Sequence, residues 1–175
     1  MLSSVSYSHL MSSAEAFIEI KLDMDDPIEI SDFAALFAGF GAEFERHLQS
    51  EHPELSGAAR MYVKEVKKGS VVASLFAQIP DLVGLMDAGL IVLAFGALFN
   101  KRIRDFIKGK HLDGASKPQL NDLTRTLRAI AEDKNGTMNV KGFRLKEGIF
   151  STEFEAVFTA KDARTALVSG VGGRS

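Results

Sequence analysis

The side chains that could carry out acid–base chemistry or bind a metal are scattered along this 175-residue chain, which has four histidines. His47 and His52 come closest to forming a pair, but they lie five residues apart, and Pro53 ends the predicted helix beside them. Two histidines that share a metal from one helix are three or four residues apart, because that spacing places both on one face. We therefore predict no metal site at this pair.

Other signatures of catalysis or ligand binding are missing from the sequence. The acidic turn Asp23–Pro27 has the charge of a calcium loop but lacks its glycine and its bidentate acid. The motifs Gly-x-Ser-x-Gly, His-Glu-x-x-His and Gly-x-Gly-x-x-Gly do not occur. The chain has no cysteine, which excludes disulfides and thiolate catalysis. We expect no cofactor, and the sequence favours a non-enzymatic protein.

A long apolar stretch, Leu82–Phe99, dominates the middle of the chain and contains one charged residue, Asp87. Pro80 suits the first turn of a helix, so we predict a helix over 80–108. This helix is apolar on nearly every side as far as Phe99. Its surface must therefore be covered by its own fold, by another protein molecule or by a bilayer.

Insertion of this helix into a bilayer is close to its energetic limit. A span needs about twenty apolar residues, and the stretch Leu82–Phe99 has eighteen residues. Its ten Leu, Ile, Val and Phe residues contribute roughly −3 to −6 kcal/mol to insertion, and a central Asp87 opposes with about +3 kcal/mol. Membrane association is therefore a disfavoured alternative. Burial within the chain and burial between copies are the two leading ones.

Small residues on the predicted central helix indicate where a neighbour could approach. Gly89 and Gly96 are seven residues apart and so lie on one side of the helix, where their small size permits close contact with another backbone. We predict an interface on this side, formed by Leu85, Gly89, Val92, Leu93, Gly96 and Phe99. We also predict a basic patch, formed by Lys64, Lys67, Lys68, Lys101, Arg102 and Arg104.

Charge is distributed unevenly along the chain. Residues 1–57 contain eleven acids and two bases, Lys21 and Arg46, which gives a net charge of −9. Because the whole chain has a net charge of −2, residues 58–175 have a net charge of +7. The two parts can fold against each other, or the acidic part of one copy can meet the basic part of the next. The near-neutral total gives little support for a nucleic-acid partner.

The remaining patterns predict an α+β fold, with a largely antiparallel sheet of about five strands and helices on one face. The predicted order is β-α-β-β-α-α-β-β-α. Strands are expected over 17–22, 61–66, 71–76, 138–145 and 150–158, and helices over 31–49, 80–108, 116–131 and 160–168. One domain, 14–169, is expected between flexible tails at 1–13 and 170–175.

Two local features of these elements are specific enough to test. Ser31 is predicted to cap the first helix, and Ser116 and Thr159 to start later ones. The last strand alternates, so one face is expected to turn towards the core; this face comprises Phe150, Thr152, Phe154, Ala156 and Phe158.

Together these observations predict a cytoplasmic, non-enzymatic module that self-associates or binds a protein partner through the helix 80–108. The first alternative is a membrane-acting protein whose central helix is sheltered until a trigger releases it. The second alternative is a small-ligand sensor, with a pocket between the helix that contains Phe33 and the sheet.

Overall fold

The computed structural model describes residues 16–67, 71–78, 88–109 and 115–172. Within these ranges the chain forms four α-helices and an antiparallel sheet, which confirms the predicted α+β class. The elements are β1 (Ala16–Asp23), α1 (Ile30–Glu51), β2 (Arg60–Lys67), β3 (Val71–Gln78), α2 (Ala88–Ile107), α3 (Lys117–Ala131), β4 (Thr137–Lys146), β5 (Ile149–Thr159) and α4 (Ala160–Gly172). The expected tail 1–13 lies outside the described residues, and α4 extends into the expected tail 170–175.

The strands form one sheet in the order β2-β3-β1-β4-β5, and each neighbouring pair is antiparallel. The first strand of the sequence is therefore the central one. Ile18, Ile20 and Leu22 alternate along β1 and are buried on the side that carries the helices. Ile18 pairs with Leu75 of β3, and Ile20 with Val140 of β4, so the apolar side is continuous across the middle of the sheet.

Helix α2 packs against the middle of the sheet and is enclosed by its own chain on most sides. Its buried apolar side chains are Ile91, Val92, Leu93, Phe95, Phe99, Ile103 and Phe106. The ring centroid of Phe95 lies 5.1 Å from that of Phe40 and 5.1 Å from that of Phe44, both on α1. On the sheet side, Nδ2 of Asn100 donates to the carbonyl of Val140 at 3.3 Å. Helix α2 is therefore held between α1 and the sheet.

Two glycines make room for an aromatic ring of β5. A Cβ atom added to Gly96 of α2, or to Gly142 of β4, would overlap the ring of Phe154. A Cβ atom on Gly96 would also come within 3.0 Å of Ile18. The interior is close-packed, so the ring occupies space that these glycines leave open. The close approach that Gly96 permits is thus used by the chain's own sheet.

The prediction that Ser31 caps α1 is wrong. The helix begins at Ile30, its N-cap residue is Glu29, and no side chain caps it. Ser31 lies inside the first turn, so its hydroxyl donates back to Oε1 of Glu29 at 2.8 Å instead of accepting from a later amide. The caps at the later helices are confirmed, since Ser116 accepts from the amide of Gln119 and Thr159 from that of Asp162.

The expectation that β5 turns one uninterrupted face towards the core is also wrong. The pairing of β4 with β5 shifts between Gly142 and Phe143, where β5 contains one additional residue. A shift of one residue reverses the side to which later side chains point. Phe154 therefore packs towards the helices. Phe150 instead lies on the opposite side of the sheet, where its ring contacts that of Phe17 at 5.2 Å.

Replacing Gly96 with alanine is expected to lower the free energy of unfolding by about 1–3 kcal/mol, the usual cost of overpacking a core. The added methyl group must displace the ring of Phe154. Urea unfolding followed by circular dichroism measures the effect. Gly41→Ala is the matched control, because a Cβ atom there meets nothing within 4 Å. It should stabilise the protein by about 0.4–1 kcal/mol.

The same substitution made in a Phe154→Ala background provides the decisive comparison. Without the ring, Gly96→Ala should lose most of its destabilising effect. An equal effect in both backgrounds would show that Phe154 does not occupy the space above Gly96.

Candidate functional site

The interface residues predicted on α2 lie largely inside the chain. Leu85 is outside the described residues, and the others are buried: Gly89, Val92, Leu93, Gly96 and Phe99. Their burial has a simple physical reason, because the large apolar side of α2 packs on the sheet and on α1. In this conformation a second molecule cannot reach that side of the helix, and any contact through α2 must use the opposite side.

The residues of the predicted basic patch lie on different elements. Lys64 and Lys67 belong to β2, and Lys68 is outside the described residues. The three bases of α2 contact groups of their own chain. Nζ of Lys101 is 3.2 Å from Asp105, Nη1 of Arg102 is 3.1 Å from Glu43, and Nη2 of Arg104 is 3.4 Å from the carbonyl of Glu155.

A polar cluster lies where α1, α2 and α3 meet, and we call it the polar node. Its buried members are Glu43, Gln119 and Asp122, and its half-buried members are Arg46 and Arg102. The carboxylate of Glu43, only 2% exposed, accepts from Arg46 at 2.8 Å, from Arg102 at 3.1 Å and from Gln119 at 3.4 Å. Arg46 also donates to Asp122 of α3. Such pairing offsets the loss of hydration that burial imposes on Glu43.

Sequence reasoning missed this node because Glu43 lies mostly away from the apolar side of α1, which carries Phe33, Phe37, Phe40 and Phe44. That side of α1 is covered as well, since α3 packs on it. One signal was available: Gly39 is four residues before Glu43 and so lies on the same side. A Cβ atom on Gly39 would come within 2.8 Å of the carbonyl oxygen of Asp122, so its small size allows α3 to approach.

A cavity of about 240 Å³ lies beside the polar node, and its lining includes His47, Glu51, Leu98 and Arg102. Cavities that bind small organic ligands are usually larger, about 300–1,000 Å³. It lies between the three helices, whereas the sensor hypothesis placed a pocket between α1 and the sheet.

His47 faces this cavity, whose lining combines charged and apolar side chains. Both ring nitrogens are shielded from solvent and have no hydrogen-bond partner among the described residues. The ring lies 5.7 Å from that of Phe95 and 6.1 Å from that of His52. Burial lowers the pKa of His47 below its usual value of 6.5; His52 and Arg102 lower it further, and Glu51 opposes them. A neutral imidazole can accept a proton, but no described nucleophile is bound to it.

Acidic residues form a second polar site at the end of α3. The carboxylate of Asp133 accepts from the amides of Asp25 at 3.2 Å, Asp26 at 3.0 Å and Asn135 at 3.2 Å. These hydrogen bonds, led by that from Asp26, lower the pKa of Asp133. Asp133 therefore fixes the acidic turn Asp23–Pro27 through the backbone of the turn.

Three carboxylates near this turn, those of Glu29, Asp32 and Glu132, lie within 4.8 Å of one another. A side-chain hydrogen bond with Asp32 raises the pKa of Glu132, and burial and the charges of Asp32 and Glu29 act in the same direction. The neighbouring negative charges make ionisation of Glu132 less favourable.

The side of α2 that faces away from the sheet carries an exposed apolar strip, which we call the α2 stripe: Leu90, Ala94, Ala97 and Leu98. Leu90 is 54% exposed and Leu98 is 37% exposed, and the two alanines between them are also exposed. The four positions recur at helical spacing on one side.

No protein-family profile, curated protein or solved structure matches the chain at a significant level. Among the described residues, no helix combines the length and the apolar character that crossing a membrane would require.

Replacing Glu43 with glutamine should lower the free energy of unfolding by about 1.5–3 kcal/mol, as expected when hydrogen bonds to a buried charged group are weakened. Arg46 and Arg102 would lose the charge that they share. Glu153→Gln is the matched control, because this carboxylate is exposed. Its effect should stay within about 0.5 kcal/mol. Equal urea midpoints for the two variants would show that the polar node does not stabilise the fold.

Acid should weaken the contact made by Asp133. Because the pKa of Asp133 is lower in the folded protein than in the unfolded chain, its contribution is complete above the unfolded pKa, about 3.9, and is lost as the pH falls through the folded value. Urea midpoints measured from pH 6 to pH 2.5 should therefore fall less steeply for Asp133→Asn than for the wild type. Parallel curves would contradict this role.

Proposed function

We propose that the chain is a cytoplasmic, non-enzymatic module that self-associates, and that two copies pair through the α2 stripe. The observation that carries this proposal is the exposure of Leu98 and Leu90 on the outer side of a helix whose other sides are buried. Scattered exposed apolar residues are common on proteins. These two lie on one helical side with no charged residue between them, which forms a continuous apolar surface.

The shape of the α2 stripe suits a second copy. Its two leucines are eight residues apart, about 12 Å along a helix, and the residues between them on this side are alanines. When two such helices cross in opposite directions about a two-fold axis at Ala94, Leu90 of one copy meets Leu98 of the other. Small central residues let helix axes approach to about 8 Å. A two-fold axis requires a self-complementary surface, and this arrangement provides it.

The other functions expected from the sequence have weaker support. The cavity is smaller than the usual ligand site and lies between helices. Membrane insertion would need helix α2, and the described part of α2 is packed on the sheet. The charged side chains of the polar node pair with one another, so their presence is explained by the packing of the helices without a catalytic role. The absence of cysteine agrees with a cytoplasmic location.

Ala94→Glu tests the proposal, because it places a charge at the centre of the α2 stripe on an exposed side chain. Sedimentation equilibrium at micromolar concentrations should give twice the chain mass of 19.0 kDa for the wild type and a single chain mass for Ala94→Glu. Val168→Glu of α4 is the matched control, since Val168 is 74% exposed and lies outside the α2 stripe. This control should remain dimeric.

A wild-type protein that sediments as a monomer throughout would contradict self-association. A dimer that Ala94→Glu leaves intact would show that the contact lies elsewhere on the surface. Circular dichroism spectra that match between the variants establish that the substitutions leave the fold unchanged.

A further inference from the structure

The polar node and the α2 stripe meet at one point of the fold. Leu98 belongs to the α2 stripe and also lines the cavity that His47 faces. Arg102 follows one helical turn after Leu98. Among the described residues, Arg102 makes a single ion pair, with Glu43, whereas Arg46 contacts two carboxylates. Arg102 is therefore the cation that leaves the polar node most easily.

We propose that His47 acts as a proton-operated latch: when its imidazole takes up a proton, Arg102 is released from Glu43, and the pairing of two copies at the α2 stripe weakens. The regulatory part of this inference rests on the proposed self-association. The release of Arg102 does not, because it concerns contacts within one chain.

The charges around His47 give the direction of the change. His52, Glu51 and Arg102 act on the charge of His47. Glu43 and Arg46 line the same cavity, and Arg46 connects it to Asp122 of α3. With a neutral ring, the two arginines share the buried carboxylate of Glu43. A protonated ring adds a third cation four residues after Glu43, where it can itself pair with that carboxylate. Because like charges gathered around one buried carboxylate repel one another, the weakest-held cation leaves.

Release of Arg102 affects the pairing of two copies because Arg102 lies next to the α2 stripe. The freed guanidinium group lies beside Leu98, at the edge of the surface that a second copy would cover. A charge at that edge must lose hydration when the copies pair, which opposes association. The pKa of His47 is lowered, so its ring is neutral near pH 7.5 and Arg102 stays paired with Glu43 there. Arg102 is released only when the pH falls below the ordinary histidine range.

The experiment separates the two parts of the inference. In the Ala94→Glu monomer, NMR follows the Nε–H resonance of Arg102 from pH 7.5 to pH 5, and release should appear as a titrating shift. In the wild type, sedimentation gives the dimer dissociation constant over the same range. It should rise on the order of tenfold, which requires a change of only about threefold for each of the two copies, because both contain His47.

His47→Gln should abolish both effects, whereas His52→Gln, which removes the neighbouring imidazole, should retain them. An Arg102 resonance that does not move, or that moves equally in His47→Gln, would overturn the latch. A moving resonance in a protein that never dimerises would support the latch and contradict the proposed self-association. A dimer whose dissociation constant is unchanged by pH while Arg102 moves would overturn the regulatory part.

Discussion

The structure depends on covering one helix that is apolar on almost every side. Helix α2 has no wide polar face along its first three turns, so a single contact with the sheet would leave much of it in water. The fold places β1 and β4 under it and the phenylalanines of α1 beside it. These described elements leave the α2 stripe exposed. This exposed apolar surface is the reason for proposing that a second copy packs on α2.

The polar node allows the charged end of the same helix to pack against the rest of the fold. Beyond Phe99 the sequence becomes charged, and α2 still has to pack beside α1. Glu43 lets it do so, because one buried carboxylate accepts hydrogen bonds from residues of all three helices. A buried ion pair adds little stability compared with apolar residues of similar shape, but losing one partner is costly. The node therefore fixes the relative positions of the helices more than it strengthens their association.

Much of the architecture followed from local sequence patterns. Alternation located β1 and β5, two β-rich runs around a glycine-containing turn located the hairpin of β2 and β3, and helical spacing located α1 and α3. What could not be predicted depends on contacts distant in sequence. The bulge in β5 is set by pairing with Gly142, and the burial of Glu43 is set by α3. Gly96 gave the correct signal of close approach, but a glycine does not specify whether a strand or another molecule is its neighbour.

The central claim is that α2 is covered by its own chain on the inner side and by a second copy on the outer side. Because the chain has no cysteine, a single thiol introduced by Ala94→Cys reports directly on the outer contact. Mild oxidation should convert this variant rapidly to a disulfide-linked species of twice the 19.0 kDa chain mass, and should leave Val168→Cys largely monomeric. Cross-linking of the two variants at the same slow rate would contradict the claim.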